Sequence, residues 1–206
     1  FADIAIRSDP AYNQGFLLHD YFFAKSLDGI RPGGLMMFIS SAGTLNKQDS
    51  SAREYMADRA DFVAAIRLPG NAFERNAGTS VTTDIVILRK RLPGEPAGSR
   101  DWTETVEVTL DDREGNPKTG LVNKWISDNP EAVLGEQGFF DKLYPGRYGV
   151  RAPKGFDLSG KINERIEALP ENIMSEWLDG VDRAEVDFGT SERKEGSFYI
   201  DKSGVL

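Results

Sequence analysis

The chain has 206 residues, 39% of them hydrophobic, enough for the core of one ordinary domain or of one and a half small ones. It has no cysteine and a formal net charge of −8, which excludes a disulfide scaffold and argues against a surface dedicated to nucleic acid, where Lys and Arg must neutralise phosphate. No apolar run approaches the ~20 residues of a membrane span and no charged-then-apolar leader opens the chain, so a reducing, cytoplasmic setting without membrane is expected.

In chain order, residues 14–30 predict a helix, because Phe16, Leu17, Phe23, Leu27 and Ile30 recur near helical spacing before Arg31-Pro32-Gly33-Gly34 stops it. Leu35 to Ser41 is a nearly continuous apolar run, expected as a strand buried on both faces of a parallel sheet. Asp49 and Ser50 are caps for a helix reaching Arg59, and Phe62 to Leu68 is the next apolar strand, ended by Pro69-Gly70. After a polar loop, the β-branched stretch Thr82 to Arg89 predicts another strand. Helix, strand, helix, strand, loop and strand together describe an α/β layer over residues 1–92.

Residues 93–100, rich in Pro, Gly and Ser, read as a linker. Beyond it, an accessory α+β segment is expected over residues 101–178. It holds a strand at Thr105 to Leu110, a turn at Asp111 to Pro117, a short helix at Leu121 to Ser127, and a helix at Leu158 to Leu169 capped by Asp157. Residues 179–206 read as a polar linker ending in a truncated hairpin at Phe198 to Leu206. No internal repeat is evident.

The stretch Leu68-Pro69-Gly70-Asn71-Ala72-Phe73, followed by Gly78-Thr79-Ser80-Val81-Thr82-Thr83-Asp84-Ile85, resembles the catalytic half of adenine-specific (N6) DNA methyltransferases. It is similar to the large bacterial modification enzymes of restriction systems and mobile elements. The resemblance covers residues 1–92 and implies the C-terminal half of a Rossmann-like S-adenosylmethionine-dependent methyltransferase sheet, its last strand antiparallel between the other two. That family's signature is Asn-Pro-Pro followed by Tyr or Phe. Phe1 is then its aromatic, and the Asn-Pro-Pro and the cofactor's glycine-rich loop are expected upstream, making the chain a fragment. Residues 122–136 resemble, over a shorter stretch, the region following the methylase core in methylase–helicase fusions of plasmids and phages. The implied partners are DNA, the upstream half of the same polypeptide and a downstream helicase.

The resemblance also implies the chemistry. The exocyclic amine of adenine is a poor nucleophile inside a stacked duplex, so the base must be flipped out and its amine held by fixed acceptors facing the cofactor's methyl group. Phe1, the catalytic candidate, would stack on the flipped base, and Phe73 would pack against its other face. Asp3 lines the substrate pocket in this reading, while Gly78 and Thr79 shape the substrate loop, with Ser80 beside them. Asp84 is read as structural.

Arg89-Lys90-Arg91, with Arg147, Arg151 and Lys154, form either a basic rim for DNA phosphate or solvated strand ends. His19 is the single histidine, so a zinc site or a histidine triad has little support. Lys47 and Gln48 follow no glycine-rich phosphate loop. Two other functions fit the sequence: a methyltransferase acting on RNA or on a protein glutamine, and a non-catalytic DNA- or partner-binding module derived from a methylase fold. Binding of S-adenosylmethionine by these residues alone is expected to be weak or absent.

Overall fold

A computed structural model describes residues 9–12, 15–78, 80–141, 146–171 and 173. Helix α1 (Leu18–Gly29) begins after Leu17, whose extended backbone donates to Oδ2 of Asp20 at 3.1 Å. It buries Tyr21, Phe23, Ala24 and Leu27. The Pro-Gly-Gly turn then reverses the chain: Gly33 has φ +72, and at Gly34 a Cβ would lie 2.4 Å from Ile30 Cγ2. Glycine is required at both for different reasons, conformation at the first and space at the second.

Strand β1 (Leu35–Ser41) leads through a four-residue turn of helix, α2 (Gly43–Asn46), to α3 (Ser51–Ala57). Strand β2 (Ala60–Leu68), a short α4 (Glu74–Ala77) and β3 (Thr83–Lys90) complete the first part. The three strands form a sheet of order β1-β3-β2, and β3 runs antiparallel to both neighbours. The last strand therefore lies between the other two, which run parallel to each other.

One expectation is corrected here. Strand β1 is not buried on both faces of a parallel sheet: its hydrogen-bonded neighbour is antiparallel β3, and Met37 and Ile39 are 57% and 58% exposed. Met36 and Phe38, with Val86 and Leu88 opposite them, face α1, and the ring of Phe38 meets that of Phe23 at 4.9 Å. On the other face Ile66 and Ile85 lie under Phe73, Phe156 and Ile162. That cover stops short of β1.

The residues past 100 continue the same core. Strands β4 (Thr105–Asp111) and β5 (Pro117–Asn123) form a hairpin whose turn is held by Asp112 Oδ1, which accepts from the amides of Glu114 and Asn116. The short helix expected at 121–127 is displaced, because Leu121, Val122 and Asn123 belong to β5, and α5 (Lys124–Asp128) starts only after Asn123 caps it. A 3-10 turn at Pro130–Ala132, strands β6 (Glu136–Gly138) and β7 (Gly149–Arg151), and α6 (Leu158–Glu167) follow. Asp157 caps α6 by accepting from Gly160 N at 2.9 Å, as the sequence predicts.

Trp102, Val122, Ile126, Phe139, Tyr148 and Val150 belong to the same buried cluster as Leu27, Met56 and Leu88. Phe62 of β2 stacks on Trp102 at 5.0 Å and meets Trp125 edge-on. The apolar core thus runs without a break from the first sheet into the β4–β5 hairpin. The predicted hairpin near Phe198 lies outside the described residues.

Candidate functional site

A cleft of ≈ 570 Å³ opens at the carboxyl end of β1. In α/β layers this end of a sheet is where chain connections leave a crevice for ligands. One wall is Ser41 at the end of β1 and Ala42, Gly43, Asn46 and Lys47 beyond it, with Val81 and Thr82 leading into β3. The facing wall is built by Lys118 to Leu121 of β5 together with Phe139, Asp141, Arg147 and Tyr148. Leu17 and His19, at the start of α1, line it as well.

The sequence shapes the second wall through glycine. At Gly120 a Cβ would lie 2.4 Å from Cε1 of Phe139, so only glycine lets this ring lie against β5. Lys118 Nζ sits 5.7 Å from the same ring and donates to the carbonyl of Gly146 at 2.6 Å. Lys47, Lys118 and Arg147 set three cationic side chains in the lining against Asp141, with Lys47 paired to the buried Asp20 behind it. In a chain of net charge −8 the cleft reverses the prevailing sign.

Its floor is a polar network in an apolar setting. Arg67 on β2 and Asp84 on β3 form a forked ion pair, Nε to Oδ1 at 2.7 Å and Nη2 to Oδ2 at 2.8 Å, with both side chains fully buried. Burial opposes the charge on Arg67, but the adjoining Asp84 carboxylate overrides it and raises the guanidinium above its ordinary range. The ring of Tyr148 lies 5.0 Å from that guanidinium, and its hydroxyl donates to Gln137 at 2.7 Å. Burial raises the Tyr148 pKa while Arg67 opposes the rise.

Arg67 Nη2 also donates to Asn46 Oδ1 at 3.0 Å, and the backbone N–H of Asn123 donates to the same oxygen at 3.0 Å. The Asn123 side chain donates in turn to the carbonyls of Leu45, Trp102 and Glu104. Thr82 ties the two walls again, its carbonyl accepting from Ala42 N and its hydroxyl from Val150 N, both at 2.9 Å. At the mouth, Asp20 is buried and bonded to Lys47, and His19 Nε2 lies 3.4 Å from Asp20 Oδ1. Burial lowers the His19 pKa, and Asp20 only partly offsets this.

Phe73 and Gly78, the described residues expected to carry or shape the chemistry, lie elsewhere. Phe73 precedes α4 and is half-buried in the apolar cluster of Ile66, Leu68 and Leu134, away from the cleft lining. Gly78 ends α4 in the left-handed region with φ +63, a conformational role. Phe1, Asp3 and Thr79 lie outside the described residues.

Arg89, Lys90 and Arg91 sit at the far end of the sheet from the cleft. Arg89 is paired with Glu95, Lys90 donates to the carbonyls of Asp28 and Ile30, and Arg91 binds Asp61 and the carbonyls of Ala57 and Ala60. Arg151 is engaged with Glu136, and Arg147 is the one member of the expected basic rim that lines the cleft. The sequence reading missed Asn46, Thr82, Lys118, Phe139 and Tyr148. The usable signal was the run of small and polar residues Ser40 to Thr44 directly after an apolar strand, which marks a crevice at a strand's carboxyl end. Among the described residues no group of three or more His, Cys, Asp or Glu is placed to hold a metal ion, and no helix is long and apolar enough to cross a membrane.

No protein-family model matches the chain, and no solved structure matches it. Among curated proteins it is 32% identical over 151 residues to Defense against restriction protein B of Escherichia phage P1. The match takes in 72% of this chain and 6% of that protein, so the chain spans a small part of the relative's length. This overturns the assignment to the adenine-specific DNA methyltransferases, since the relative is named for defence against restriction. The restriction theme survives the correction: what this chain is similar to is a phage protein that defends against restriction.

Proposed function

We propose that the cleft receives a nucleotide of DNA and that the chain is part of a protein that counters restriction, serving transfer of a methyl group from S-adenosylmethionine to the exocyclic amine of a DNA base. The observation that carries the reading is the cleft itself, a cation-lined crevice with two aromatic side chains, Phe139 and Tyr148, at the carboxyl end of β1. Cations suit phosphate, and the largely buried rings of Phe139 and Tyr148 give the crevice an apolar side against which the edge of a base can lie. Methylation is a reaction that hides a site from a restriction nuclease, which joins this chemistry to the name of the relative. The antiparallel β3 between two parallel strands is the strand arrangement that the resemblance implied.

The described residues do not fit the cofactor. The turn after β1 runs into a four-residue helix, Gly43 to Asn46, rather than a glycine-rich loop opening a long one, and offers no ribose-type cradle. S-adenosylmethionine supplies the electrophilic methyl group when bound, and we assign its binding to other parts of the longer polypeptide. These residues hold the base side. A second reading, a non-catalytic DNA-holding module, is favoured by the burial of Phe73 in an apolar cluster away from the cleft.

The test is fluorescence anisotropy of a labelled single-stranded oligonucleotide with the chain, paired with methyl incorporation by the longer protein. Saturable binding that weakens with salt and falls at least severalfold in Lys118→Glu is expected, with incorporation lost in the same variant. Absence of binding at low salt overturns the reading; binding without incorporation leaves the DNA-holding module.

A further inference from the structure

The amide of Asn46 is held in one orientation by its surroundings. A carbonyl oxygen has two lone pairs, and both on Asn46 Oδ1 are used, by Arg67 Nη2 and by the Asn123 amide. Turning the amide over would set its N–H groups against these two donors. Neither donor can yield, because Arg67 is locked by its fork to Asp84 and the Asn123 amide sits where β5 passes into α5. Among the described residues no hydrogen bond engages Nδ2, and Asn46 lines the cleft.

We infer that Asn46 is a specificity-determining residue of the cleft, an obligate hydrogen-bond donor that recognises an acceptor atom, a ring nitrogen or carbonyl, on the base bound there. The inference rests on the nucleotide reading above and goes beyond it by naming the atom class recognised. A free asparagine pairs with adenine through both ends of its amide, accepting from the exocyclic amine and donating to the ring. Asn46 has lost the accepting half. It cannot bind an exocyclic amine, so any amine on the base is left to other groups, and discrimination comes from the ring acceptors next to Nδ2.

Nitrogen-15 NMR of the 206-residue chain titrated separately with dAMP, dCMP, dGMP and dTMP tests this directly. The expected result is that at least one nucleotide moves the backbone amides of Thr82 and Gly120 together with the Asn46 side-chain NH₂ pair. Asn46→Asp keeps an oxygen for Arg67 and Asn123 but presents an acceptor to the cleft, so it should weaken binding of that nucleotide by roughly tenfold, the loss of one good hydrogen bond. Cleft amides that move while the Asn46 NH₂ pair stays still overturn the inference and leave the nucleotide site standing. If no nucleotide moves any cleft amide, the nucleotide site falls as well. The NH₂ shift is read in the wild-type chain, so the result does not depend on how well the variant folds.

Discussion

Asp84 and Arg67 show how much one pair of side chains can hold. Both are fully buried, and removing one partner strands the other charge away from water. Asp84→Ala should cost about 3–5 kcal/mol of unfolding free energy in denaturant titration. Glu54→Ala, which removes part of the exposed Arg100 pairing, should cost no more than about 1 kcal/mol. The structural role read for Asp84 from sequence rested on its place opening an apolar strand. Its partner Arg67 was not legible, since the pairing depends on β2 and β3 being antiparallel in one register.

His19 makes a pH prediction. Burial lowers its pKa in the folded state, so below the ordinary histidine value of about 6.5 the unfolded chain takes up a proton that the folded chain refuses. Stability should therefore fall as pH drops through and below about 6.5, levelling off once the folded-state histidine also protonates. His19→Gln should flatten that part of the profile, measured by thermal unfolding across pH in both proteins.

At the scale of elements, β1 differs most from what its composition suggests. Leu-Met-Met-Phe-Ile reads as an interior strand, and pattern alone cannot tell which strands will flank it. Among the described residues β1 pairs only with β3, carries no charge or proline on its free side, and leaves Met37 and Ile39 more than half exposed. Such an edge invites pairing with another strand. The 206-residue chain should self-associate with rising concentration, and Ile39→Lys should suppress this in sedimentation velocity without lowering the melting temperature. The region of β5 and α5 was misread for the converse reason: Leu121, Val122, Trp125 and Ile126 fall at helical spacing. Pairing of residues 117–123 with β4 overrides that periodicity, and Asn123 sets the later start of the helix.

For the whole molecule, the linker composition of residues 93–100 was legible but its meaning was not. Glu95 accepts from Arg89 and from the backbone of Leu92, and Gly98 N donates to Asp61. The segment is laid along the end of the sheet, and Trp102 just past it enters the main cluster. A chain ending at residue 100 would uncover Phe62, Met56 and Leu88 on that side. It should lose its near-ultraviolet dichroism and cooperative melting, whereas two separately folded parts would each retain a transition.

The chain of bonds from Asp84 through Arg67, Asn46 and Asn123 to the carbonyl of Trp102 crosses beneath the cleft from one wall to the other. A crevice riveted through its floor works as a mould rather than as a jaw. Its shape is set before any ligand arrives, so capture depends on how often the ligand itself presents the matching form, with little waiting on the protein.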